Sequence, residues 1–218
     1  MRTVAFIPAR GGSKGLKNKN VRNLCGLPLI AWPIKAAIKC SEIDDVVVTT
    51  DDQEIASIAI KYGAKVPFIR PSELAGDLST TEETLKHALE NYELKYKKVD
   101  LCVFLTCTDI FRNSEWLEEA VLLMKNKPEL ESVFSGHQTH KNFWQKNKDG
   151  KWERLQEWMK TYSSRQIRKF IVREDTGLCC VSRSKLWKEG KRIGDNVEIL
   201  LNKDLLTSID IHTIQDLK

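Results

Sequence analysis

The chain has 218 residues, with 35 Lys and Arg against 30 Asp and Glu, and 41% of its residues are hydrophobic. That length and balance fit one globular domain that buries its own core, and they exclude a disordered chain or a disulfide-stapled miniprotein. No apolar run approaches the roughly 18 residues of a membrane span, and the net charge of +5 is concentrated in residues 1–41, where eight basic residues meet no acid.

Charge gathered in one loop points to a small polyanion, because nucleic-acid binders spread theirs over a face or stripe. Met1-Arg2 passes straight into a strand pattern, so no leader is expected, and six scattered cysteines without a CxxC pair read as reduced core thiols. Both place the chain in the cytoplasm, away from any membrane. His137 and His140 form an HxxH with no further ligand at metal spacing.

In chain order, Thr3 to Ile7 reads as a buried strand and Leu29 to Ile38 as a helix. Val46 to Val48 is β-branched and runs into Thr-Thr-Asp-Asp, where Asp51 with Glu54 predicts a capping box for a helix that ends at Tyr62-Gly63. Val66 to Ile69 reads as a strand, Thr80 with Glu83 as the next capping box, and Leu101 to Leu105 as a buried strand. Asn113 or Ser114 opens a helix ending near Lys125. After Val133 the pattern changes. Phe143 to Gln145 and Trp152 to Leu155 flank a Lys148-Asp149-Gly150 turn and predict a hairpin, while Gly177 to Ser182 and Leu205 to Ile211 read as strands returning to the sheet.

Strand and helix in alternation predict a mostly parallel sheet with helices on both faces and a ligand site beyond the strands' carboxyl ends. The stretch Ile7-Pro-Ala-Arg-Gly-Gly-Ser-Lys-Gly lies at that edge. Gly11 and Gly12 let successive N–H groups face one anion, Ser13 adds a hydroxyl, and Arg10, Lys14 and Lys19 can neutralise phosphate charge. The spacing is neither GxxxxGK[ST] nor GxGxxG. By itself the loop also reads as a solvated Gly/Lys turn.

The pattern A-R-x-x-S-K-x-x-x-x-K-N at Ala9, Arg10, Ser13, Lys14, Lys19 and Asn20, followed by R-P-x-E-L-A-x-D at Arg70 to Asp77, resembles the acylneuraminate cytidylyltransferase family. The resemblance implies a Rossmann-like mixed, mostly parallel sheet in a single domain over 1–218, with 137–175 as a small protruding dimerisation and substrate element. It implies a homodimer that transfers CMP from CTP to the anomeric hydroxyl of an acidic 2-keto sugar for surface glycans, with Mg²⁺ as cofactor and Mn²⁺ as a second candidate. A degenerate member that binds nucleotide or sugar phosphate without turnover is the alternative.

The family positions assign roles residue by residue. Arg10, Lys14 and Lys19 hold the triphosphate, and Ala9, Gly11, Gly12, Ser13, Asn20, Arg70 and Thr106 bind nucleotide. Lys141, Thr108, Arg112 and Gly177 line the sugar side. The central strand reads Leu105-Thr-Cys-Thr-Asp-Ile-Phe-Arg where relatives carry L-Q-P-T-S-P-L-R, so Asp109 is a departure, and it reads equally as an acid preceding a helix. In Ser208-Ile-Asp-Ile-His-Thr, Asp210 keeps one of two family metal ligands and His212 replaces the other. Asp210, His212 and Asp109 form the expected metal set, and His212 favours Mn²⁺.

Overall fold

Residues Val4 to Ile7 are wholly buried on both faces, so strand β1 (Thr3–Pro8) is a continuous apolar run, as a sheet covered by helices on both sides requires. The computed structural model describes every residue except Lys14, Asp77, Arg165 and Lys218, and the side chains of Leu205, Ser208 and Leu217. A short ribbon, β2 (Asn23–Leu24) with β3 (Leu27–Pro28), leads into helix α1 (Ala31–Lys39). Strand β4 (Asp45–Thr49), helix α2 (Gln53–Lys61), helix α3 (Thr81–Lys95), strand β5 (Leu101–Phe104) and helix α4 (Ser114–Asn126) follow. Then come β6 (Ser132–Thr139), the hairpin β7 (Trp144–Lys146) and β8 (Trp152–Arg154), β9 (Ile171–Glu174), β10 (Cys180–Arg183), helix α5 (Ser184–Lys188) and β11 (Val197–Asn202).

The main sheet runs β11-β6-β10-β5-β1-β4, with β9 also paired to β6. β1, β4 and β5 are parallel, as are β6 and β11, and β10 runs against both its neighbours. Pleat alternation divides the core. Ala5, Ile7, Leu101 and Val103 face α1, α2 and α4 through Ile34, Ile55 and Leu117, whereas Val4, Phe6, Cys102 and Phe104 face α3 and α5 through Leu89, Tyr92 and Trp187. The chain leaves β1 for β4 on one side and returns to β5 on the other, so the loops after β1 and β5 diverge and open a crevice at the strands' carboxyl ends.

Three local expectations are corrected. The cap of α2 is Asp52, whose carboxylate accepts from the N–H groups of Glu54 and Ile55 at 2.8 and 3.0 Å; no Asp51–Glu54 box forms. Val66 to Ile69 is not a strand: Lys65 makes one isolated bridge to Val47, and Pro67 and Pro71 deny the segment ladder donors. Leu205 to Ile211 is not a strand either. Asp204 caps Leu206 N–H at 2.9 Å and turns Leu205–Ser208 into a 3-10 helix, while the edge strand is β11, six residues the sequence pattern did not single out. The Thr80–Glu83 capping box, the Asn113 cap and the hairpin are present as read.

Candidate active site

The loop after β1 is pinned from below. Ala9 N–H donates to Thr49 O at 3.0 Å, and buried Asn20 donates its amide to Arg10 O at 2.9 Å, so Asn20 braces the loop from inside. Asp51, freed from capping, accepts Gly11 N–H at 3.1 Å and lies 3.4 Å from the guanidinium of Arg70. A Cβ at Gly11 would meet Asp52 Oδ2 at 2.7 Å, so only glycine lets the loop lie this close to the start of α2. Gly12 faces open space. Gly15, which sequence reasoning passed over, packs its backbone on His212 O, where a Cβ would approach to 2.9 Å. Lys14 lies outside the described residues.

Three adjoining cavities follow the crevice. The first, about 280 Å³, lies between Arg10, Arg70, Gly76, Ser79 and Thr80; Arg70 is 4% exposed, and burial lowers its pKa. The second, about 450 Å³, is lined by Arg10, Ser13, Lys19, Asn20, Thr106 and Thr108. The third, about 540 Å³, shares Thr106, Thr108 and His212 with the second and adds Asp109, Arg173, Arg192 and Asp210. Cations thus dominate one side of a shared wall and carboxylates the other.

Asp109 accepts hydrogen bonds from the Thr106 and Thr108 hydroxyls, and burial, then the charge of Asp210, raises its pKa. It crowds Gly177: a Cβ there would collide with the Asp109 carboxylate and come within 2.8 Å of Thr106 Oγ1. Arg112 turns inward. Its guanidinium donates to the carbonyls of Leu178, Thr106 and Gly177 at 2.5, 3.0 and 2.6 Å, and desolvation lowers its pKa to about 10. The structure therefore gives Arg112 a backbone-clamping place through Nε and Nη2, while Nη1 is buried without a hydrogen-bond partner among the described residues.

Asp210 and His212 meet with Nε2 of the imidazole 2.6 Å from Oδ2, so the imidazole N–H supports that carboxylate. The other oxygen, Asp210 Oδ1, is shielded from water and lacks a hydrogen-bond partner among the described residues. Asp109 senses Asp210 electrostatically, yet among the described residues no three His, Cys, Asp or Glu side chains gather into a group able to hold a metal ion alone. Lys141 is exposed beyond β6, its N–H on the Thr139 hydroxyl at 3.2 Å, and lines none of the three cavities. Arg70's burial and Arg192's place in the third cavity had no local sequence signal.

A family model described as cytidylyltransferase matches residues 4–210. The chain is 42% identical over 125 residues, 57% of its length and 54% of the other, to a CMP-N,N′-diacetyllegionaminic acid synthase of Legionella pneumophila. It is 41% identical over 143 residues to an N-acylneuraminate cytidylyltransferase of Escherichia coli, covering 65% of this chain and 33% of that protein. The chain thus spans about half or less of the length of these relatives. Among solved structures, a CMP-2-keto-3-deoxy-manno-octonic acid synthetase complexed with CTP superposes with a TM-score of 0.71 at 14% identity, covering 100% of this chain and 95% of that one, which is a likeness of fold.

Proposed function

Because the chain belongs to the cytidylyltransferase family, we propose that it transfers a cytidylyl group from CTP to the anomeric hydroxyl of an acidic 2-keto sugar of the sialic-acid type. The sugar oxygen bonds to the α-phosphorus, the bond from that phosphorus to the α,β-bridging oxygen breaks, and pyrophosphate and a proton leave. The observation that carries this reading is the pair of cavities joined at Thr106, Thr108 and His212, one cationic and one rich in carboxylates. A transfer between two bound reactants needs such a shared wall, and positioning of this kind supplies much of the catalysis of phosphoryl-type transfers.

The triphosphate belongs in the second cavity, where Arg10, Ser13 and Lys19 meet the charge that grows on departing pyrophosphate, a role that the sequence pattern alone extends to Lys14. The first cavity, beside Arg10 and rimmed by Gly76, Ser79 and Thr80, suits the base. The sugar acid takes the third, and the names of the relatives supply its class. Asp210 with its orphaned oxygen fits Mg²⁺, which binds through one or two carboxylates and completes its shell with water and phosphate oxygens. When bound, the ion neutralises triphosphate charge; His212 holds the Asp210 carboxylate for it, and Asp109 stands on the same cavity wall.

We place the protein in the cytoplasm, in accord with six free cysteines, and assign it a homodimer through a projecting element at 137–175, where Trp144, Trp152 and Tyr162 are 49, 65 and 71% exposed. The test is pyrophosphate release with CTP, UTP, ATP and GTP against N-acetylneuraminic, N,N′-diacetyllegionaminic and pseudaminic acids. Release confined to CTP with at least one acid is expected. Nucleotide binding without release supports the non-catalytic alternative.

A further inference from the structure

The third cavity must receive an anion although Asp109, Glu174, Asp175 and Asp210 all line it. Its only guanidinium groups among the described residues are Arg173 and Arg192. Arg173 is engaged, with Nε donating to Asp175 at 2.7 Å. Arg192 is held by charge alone: it makes long ion pairs with Glu82 and Glu174 at 3.8 and 3.7 Å, no hydrogen bond reaches its guanidinium among the described residues, and its Nε is shielded from water.

Its backbone, by contrast, is fixed. The carbonyl of Arg192 accepts from the Ser182 hydroxyl at 2.6 Å and from the Trp187 indole at 3.3 Å, and both donor residues are buried. The guanidinium lies over the ring of Phe104, 5.1 Å from its centre, at the carboxyl end of β5. A guanidinium held over an aromatic face by cation–π attraction, with long ion pairs and no hydrogen bond, can exchange those pairs for the closer hydrogen bonds of an entering carboxylate. The side chains of Glu82 and Glu174 are 35 and 50% exposed, so water solvates them when the fork turns to another acceptor.

We propose that Arg192 is a specificity-determining residue that grips the carboxylate of the acidic sugar. A carboxylate matches the fork in two parallel hydrogen bonds and carries one charge, whereas the cavity's four acids disfavour a polyphosphate. The inference rests on the cytidylyl-transfer reading and names the group by which that site selects its acceptor.

The experiment compares wild type, Arg192→Met and Arg192→Lys with whichever of the three sugar acids supports CTP-dependent pyrophosphate release, and with its methyl ester. In Arg192→Met, KM for the acid is expected to rise roughly 10- to 100-fold, the range for losing a charged hydrogen-bond partner, while KM for CTP and the melting temperature hold. The wild-type preference for acid over ester collapses in Arg192→Met and is partly restored in Arg192→Lys. An unchanged acid-to-ester preference in Arg192→Met overturns the role of Arg192 and leaves cytidylyl transfer standing. No CTP-dependent release by the wild type overturns the transfer reading, and the role of Arg192 with it.

Discussion

Arg112→Met separates a scaffold role from a substrate role at one residue. Met matches the length of the aliphatic stem but removes every donor, so the carbonyls of Thr106 and Leu178 lose the partners they have at 3.0 and 2.5 Å, whereas Gly177 O keeps the Thr106 N–H at 3.0 Å. An orphaned buried acceptor costs about 1–3 kcal/mol, and because the residue is only partly buried the two together come to roughly 2–4 kcal/mol. For a chain of this size each kcal/mol moves the melting temperature by about 2–4 °C, so a fall of roughly 5–15 °C is expected. Typical domain stabilities of about 5–15 kcal/mol leave the variant folded at room temperature, where its kinetics are measurable. Calorimetry paired with steady-state kinetics is the assay. A melting temperature within about 2 °C of wild type, together with a tenfold rise in KM for the sugar acid, would refute the clamp.

The remaining expectations concern charge and assembly. Lys19→Ala, and Lys14→Ala on the strength of its place in the loop, should each lower kcat by about 10²- to 10³-fold with the melting temperature unchanged, because they meet charge that grows only as pyrophosphate leaves; equal loss in KM alone contradicts that. Asp109, raised in pKa by burial and by Asp210, favours folding in its protonated form, so its contribution is present below the ordinary carboxylate value of 3.8 and is lost as pH rises through the raised one. Asp109→Asn should therefore gain stability relative to wild type from about pH 4 upward, and a melting-temperature difference that is flat with pH counts against it. Light scattering at micromolar concentration should report a dimer that Trp152→Glu converts to monomer; a wild-type monomer removes the 137–175 interface.

Where local signals are sufficient, the sequence is legible. Thr80 and Glu83 satisfy each other across one helical turn, and that reciprocity needs no tertiary partner. Asp51 and Asp52 are adjacent acids with the same local credentials, and only the neighbouring loop decides between them: Gly11 N–H and Arg70 claim Asp51, leaving Asp52 to cap. β11 carries an ordinary strand alternation but follows Gly194-Asp-Asn, and the more apolar run at Leu205 to Ile211 competes with it until Asp204 turns that run into a 3-10 helix. The basic character of the loop after β1 is readable because its charge is local. The contacts of Arg112 and Arg192 are not, since each reaches residues more than sixty positions away in sequence: Leu178 and Gly177 for one, Phe104 and Glu82 for the other.

The most direct test of cytidylyl transfer follows the sugar oxygen itself. A sugar acid that supports turnover is labelled with ¹⁸O at its anomeric hydroxyl, incubated with CTP, Mg²⁺ and the protein, and the products are read by phosphorus NMR. Attack by that hydroxyl on the α-phosphorus predicts a CMP-sugar diester with the isotope in its bridging oxygen, shifting the diester resonance, together with unlabelled pyrophosphate. Unchanged CTP, or hydrolysis to free CMP with the label left in the sugar, would contradict the assignment.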